Sequence, residues 1–97
     1  MSKLERLEKV SDIATVQKMA NKILGKNNKV FISSRKDKKF MVINPYNNYL
    51  VHFGNINYED YTIHKDKKRR DNFRSRNRKW ADAEPYTPAF LSYYILW

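Results

Sequence analysis

HKDKKRRDNFRSRNRKW, residues 64–80, sets nine Lys or Arg against two Asp. Its cations are Lys65, Lys67, Lys68, Arg69, Arg70, Arg74, Arg76, Arg78 and Lys79. An ammonium offers a mobile point charge and a guanidinium a planar fork of donors, and both suit phosphate oxygens. A merely solvated helix face would interleave Glu and Lys four apart; here only Asp66 with Arg70, and Asp71 with Arg74 or Ser75, approach that pattern. The segment is therefore the candidate surface for an anionic polymer, and Tyr58 and Tyr61 just before it are candidates for stacking on bases.

Acid–base or metal chemistry has less to work with. His52, Asp60, His64 and Asp66 are the available set, and two histidines lack the clear third ligand of a catalytic zinc site. Nucleotide-binding glycine loops, the HExxH zinc motif and the nucleophile elbow are absent. The expectation is a protein that is not an enzyme and uses no cofactor and no metal. A metal-dependent nuclease built on His52 and His64 is kept as the third reading.

Charge and composition point the same way. The 97 residues carry a formal net charge of +10, more than solubility requires, and such an excess calls for an anionic partner. Nucleic acid, with DNA ahead of RNA, or an acidic protein surface is expected. A membrane is not, since no run approaches the roughly 20 apolar residues of a span. With no cysteine, disulfides and thiolate metal sites are excluded. The N-terminus MSKLERLEKVSDI has no apolar core of a signal peptide, so secretion is not expected.

These residues need elements to hold them. Ser2 and Glu5 fit a capping box ahead of Leu4, Leu7 and Val10. Ser11 is a candidate start for a second helix, with Ile13, Val16, Ala20, Ile23 and Leu24 as its apolar stripe and Gly25 at its C-terminal cap; whether residues 3–24 form one helix or two is open. Three runs rich in β-branched and aromatic residues follow, at 29–34, 39–44 and 49–53, separated by RKDK and PYNN, which carry turn chemistry. They predict a three-stranded antiparallel meander, ended by Gly54. Residues 65–79 are expected to form one helix capped by Thr62 and anchored by Phe73 and Trp80, seven apart on one face. Pro85 stops it, and Thr87–Pro88 opens an apolar C-terminal helix whose final Trp97 is expected to dock into the body of the domain.

At HFGNINYEDYTIHKDKKRRDNFRSRN, residues 52–77, the chain resembles a group of small basic proteins of large DNA viruses, the mimivirus and iridovirus-like lineages, with looser relatives in tailed phages. The matching elements here are His52, Phe53 and Gly54; Tyr58, Asp60, Tyr61 and Thr62; His64, Lys65 and Asp66; Arg69, Arg70, Phe73 and Arg76; and Thr87, Phe90, Leu96 and Trp97. The resemblance extends over residues 30–97. It departs from the group at Asn77, where many members have His, and at Leu91, Tyr93 or Tyr94, where a Trp is common. It implies a viral source and a setting in the host cytoplasm, at a virus factory, or in the virion; it supplies no mechanism.

The sequence therefore predicts an N-terminal helical arm, residues 1–28, and a single small α+β domain, residues 29–97: a three-stranded antiparallel sheet with a basic helix and an apolar C-terminal helix. The expected function is non-enzymatic viral nucleic-acid binding through phosphates, in genome packaging or a virus factory. The alternative is a minor capsid or virion structural adaptor, with virion proteins or further copies of the chain as partners.

Overall fold

Ser2 caps the first helix, α1 (Lys3–Val10), with the full capping box: its hydroxyl accepts from the Glu5 N–H at 3.2 Å and the Glu5 carboxylate accepts from the Ser2 N–H at 3.3 Å. The chain then breaks. Ser11 is extended, and Asp12 caps a separate helix, α2 (Ile13–Leu24), by accepting from the Thr15 N–H. Residues 3–24 are thus two helices, and the second starts from Asp12 rather than Ser11. Gly25, at φ +100°, closes α2. This computed structural model describes residues 1–97.

The strands β1 (Phe31–Ile32), β2 (Lys38–Ile43) and β3 (Leu50–Asn55) pair antiparallel in the order β1-β2-β3. Register places Phe40 opposite Phe53 and Val42 opposite Val51. Side chains alternate along a strand, so this row faces the helices while Phe31, Met41 and His52 form a row on the other face. β3 runs on through Gly54 to Asn55; the glycine lies within the strand rather than ending it. Its φ of +82°, and the absence of a Cβ that would come within 2.9 Å of Leu96 Cδ1, explain why glycine stands there.

After β3 come α3 (Tyr61–His64), α4 (Lys67–Arg76), a 3₁₀ turn at Arg78–Asp82, and α5 (Pro88–Leu91), which widens into a π-helical turn at Ser92–Leu96. Thr87 caps α5 with its hydroxyl on the Phe90 N–H and Pro88 takes the first helical position, as that dipeptide predicts. Leu7, Val16, Ala20, Phe40, Val42, Phe53, Leu91, Ile95 and Leu96 form the buried core. The fold is α+β, and the N-terminal segment, expected as an arm, supplies three of those core residues. Each large apolar side chain buried there contributes about 1.5–3 kcal/mol. No helix is long and apolar enough to cross a membrane.

Candidate nucleic-acid interface

The single helix expected over residues 65–79 is broken in two places. Lys65 adopts a left-handed conformation, φ +52° and ψ +28°, which ends α3. Asp66 then caps α4, its carboxylate accepting from the N–H groups of Lys68 at 3.0 Å and Arg69 at 3.2 Å. Thr62, the expected cap, is instead buried in the first turn of α3. Beyond Arg76 the backbone tightens to 3₁₀, so Trp80 lies on a different element from Phe73. The anchoring contact is made by Trp97, whose ring stacks on Phe73 at 4.3 Å and 6°. His64 packs against the same indole at 5.2 Å, and Trp80 meets Phe73 edge-on at 5.8 Å.

That docking sorts the nine cations into three groups. Arg70 and Arg74 turn toward the body: Arg70 lies over the Tyr61 ring at 4.7 Å and Arg74 over Tyr93 at 5.4 Å. Arg74 also donates to the main-chain oxygen of Trp97 at 3.0 Å, and the Nε–H of both arginines is buried without a hydrogen-bond partner. Arg69 reaches back to Glu59 at 3.1 Å, an exposed pair of small energetic weight. Lys65, Lys67, Lys68, Arg76, Arg78 and Lys79 remain exposed and without an ion-pair partner. Of the two tyrosines, Tyr58 is largely exposed, whereas Tyr61 is held between Arg70 and the edge of His64.

A cavity of about 760 Å³ opens between α4, the 3₁₀ turn, β3 and α5. Arg69, Asn72, Phe73 and Arg76 line one side of it, spaced three, four and seven apart so that they share a helix face. Trp80, Trp97, Tyr58 and Leu96 add aromatic and apolar wall, and Lys38 adds a further cation. The individual residues were legible in the sequence; their convergence on one cavity was not, because Trp97 and Lys38 come from distant parts of the chain.

A second polar cluster lies deep in the fold. The Lys39 ammonium donates to Asp60 Oδ2 at 2.8 Å, with the two side chains 2% and 1% exposed. Ser11 Oγ donates to the same oxygen at 2.7 Å, and the Thr62 N–H and hydroxyl both donate to Oδ1. Asp12 N–H donates to Thr62 Oγ1 and Asp60 N–H to the Val10 carbonyl, so the cluster fastens the α1–α2 junction to β2 and α3. Burial, opposed by Asp60, holds the Lys39 ammonium below its ordinary value. Lys39 and Ser11 escaped sequence reasoning because a Lys in a basic chain and a Ser between helices give no local sign of burial.

The histidines are placed separately. His52 Nδ1 shares a hydrogen bond with Ser33 Oγ at 2.6 Å on the open face of the sheet, and burial, then the charges of Arg35 and Lys3, keep its pKa below 6.5. His64 accepts from the Asp66 N–H through Nδ1, its Nε2 is buried without a partner, and burial followed by Arg69 lowers its pKa too. No group of three or more His, Asp or Glu stands close enough together to hold a metal ion. Phe53 is in the core.

Residues 29–77, from the approach to β1 through the end of α4, match a family described as a family of unknown function (DUF5754). The chain belongs to this family. The DUF5754 span includes Lys39, Asp60 and Thr62 of the buried cluster and the α4 wall of the cavity, while Ser11, Trp80, α5 and Trp97 lie beyond it. No curated protein and no solved structure matches the chain.

Proposed function

We propose that this protein binds nucleic acid through phosphate contacts, without catalysing a reaction on it. The observation that carries the reading is the set of six exposed, unpaired cations between Lys65 and Lys79, beside a helix fixed to the fold by aromatic stacking. Rigid attachment matters because a disordered basic tail would forfeit ordering entropy on binding that a docked helix has already lost. The resemblance to small basic proteins of large DNA viruses adds a setting to the proposal, genome packaging or a virus factory.

If all six cations meet phosphates on duplex DNA, log affinity falls against log salt with a slope of about −5, close to three decades between 50 and 200 mM. Titrating labelled DNA and RNA across that range tests this, and tight binding with a flat salt response refutes it. Lys67, Lys68, Arg78 and Lys79 changed together to Gln is the informative variant, because its four positions lie outside the packing contacts of Arg70 and Arg74.

A second reading has its own observation. Phe31, Ile43 and Leu50 are 36%, 47% and 48% exposed, with Ile43 and Leu50 directly paired across β2 and β3. This apolar sheet face favours a virion adaptor or a homo-oligomer that covers it. A salt-resistant oligomer in light scattering supports that alternative; a monomer that grows only when DNA is added supports the first.

A further inference from the structure

We infer that the cavity between α4, the 3₁₀ turn, β3 and α5 is a nucleotide site, taking one unpaired base with its phosphate. This deepens the nucleic-acid reading and rests on it for the polymer as the source of the nucleotide, though the chemistry of the cavity stands without it. The volume of about 760 Å³ lies within the roughly 300–1,000 Å³ of small-ligand sites. Trp80, 36% exposed in the lining, is the ring on which a base gains stacking energy whatever its identity, and the mutually stacked Phe73 and Trp97 form the aromatic wall beside it. Arg69, Arg76 and Lys38 stand in the same lining, where a phosphate attached to that base needs positive charge. Asn72 brings an amide that both donates and accepts and so suits a base edge, while Asn55, whose oxygen accepts from the Asn57 N–H, adds its NH₂ as a donor.

Two details favour a nucleotide over a purely apolar ligand. Arg76 is exposed and has no carboxylate partner, so its charge is available at the rim. Arg69 is held by Glu59, the one acidic side chain of the lining, through an exposed contact of 3.1 Å, so Arg76 and Lys38 are the cations left for the phosphate. A paired base in a duplex is stacked on both faces and cannot enter, so the cavity selects single strands, ends or free nucleotides. The exposed cations of α4 and the 3₁₀ turn stand on the same elements that wall the cavity, available to the flanking phosphates of a strand.

Both tryptophans of the chain line the cavity, so occupancy reports itself as a change in intrinsic fluorescence. The experiment titrates the full chain with a nucleoside monophosphate, a single-stranded oligonucleotide, an abasic oligomer of equal length, and a duplex. The inference expects fluorescence quenching by the monophosphate, and binding to the base-bearing strand about tenfold tighter than to its abasic counterpart. Trp80→Ala removes most of that tenfold preference while leaving salt-dependent abasic binding in place. Arg76→Gln, at an exposed position that does not threaten folding, weakens the monophosphate titration severalfold.

Quenching by the monophosphate without binding of any oligomer upholds the site with a free nucleotide as its ligand and overturns the polymer reading. Equal affinity for abasic and base-bearing strands, with unchanged fluorescence, overturns the site and leaves the phosphate reading standing. No response to any of the four overturns both.

Discussion

Replacing Asp60 with Ala should nearly unfold this protein, although Asp60 lies in a connector without regular structure on its N-terminal side. The carboxylate receives the Lys39 ammonium, the Ser11 hydroxyl, and both the N–H and hydroxyl of Thr62. Removing it leaves a lysine side chain that is 2% exposed with no opposite charge, and breaking a buried pair from one side costs about 3–5 kcal/mol. The Ser11 and Thr62 hydroxyls keep their contact with each other at 3.1 Å, so the loss of their bonds to the carboxylate adds roughly 1 kcal/mol in all. Domains of this size hold on the order of 5–15 kcal/mol in all, so the loss consumes a large share. Urea denaturation followed by tryptophan fluorescence measures it directly. The double variant Lys39→Met with Asp60→Leu should lose less than Asp60→Ala alone, since no charge is left buried. An Asp60→Ala loss below about 1 kcal/mol, or a double variant worse than the single, would refute the reasoning that the pair is desolvated and mutually dependent.

Three further outcomes follow from particular contacts. Gly54→Ala places a Cβ at 2.9 Å from Leu96 Cδ1 and 3.1 Å from Lys39, at a φ of +82°; a loss of about 1–3 kcal/mol is expected, read as a lowered Tm in a thermal melt. His64 has its pKa lowered from 6.5 by burial and then by Arg69. In the window just below 6.5 the unfolded chain therefore binds a proton that the folded chain refuses, so stability falls on acidification and His64→Gln flattens that part of the stability–pH curve. Arg70→Gln and Arg74→Gln, which lose contacts to Tyr61 and to Tyr93 with the Trp97 oxygen, should lower the urea midpoint, whereas Lys67→Gln and Lys68→Gln should leave it nearly unchanged and reduce the salt slope of DNA binding by about 0.9 each.

Much of the secondary structure was legible because its signals are local. The Ser2–Glu5 box, the Thr87–Pro88 start and the meander from β1 to β3 depend on residues within a few positions of one another; both caps and the antiparallel strand order stand as expected, though β1 keeps only Phe31–Ile32 of the run 29–34. Thr62 misled because a cap is decided by which oxygen reaches the free N–H groups. Asp66 is nearer to those of α4, and Thr62 is occupied by Asp60 and Ser11. Gly54 misled because a glycine inside a strand reads locally like a stop, while its cause here is the approach of Leu96 from the other end of the chain.

For the candidate site, the sequence by itself determined the inventory: a basic segment from His64 to Trp80, two tryptophans and a sheet with one apolar face toward helices. Only the tertiary structure decided which cations are free. Arg70 and Arg74 look identical to Arg76 and Arg78 in a string of letters; the first two face Tyr61 and Tyr93, and the latter two face solvent. It likewise decided that Trp97 stacks on Phe73 to close one wall of the cavity, and that Lys39, one of 20 basic residues, is the one buried against Asp60. The physical reason is common to all three: charge and ring are properties of a residue, but desolvation and stacking belong to pairs that the chain brings together from far apart.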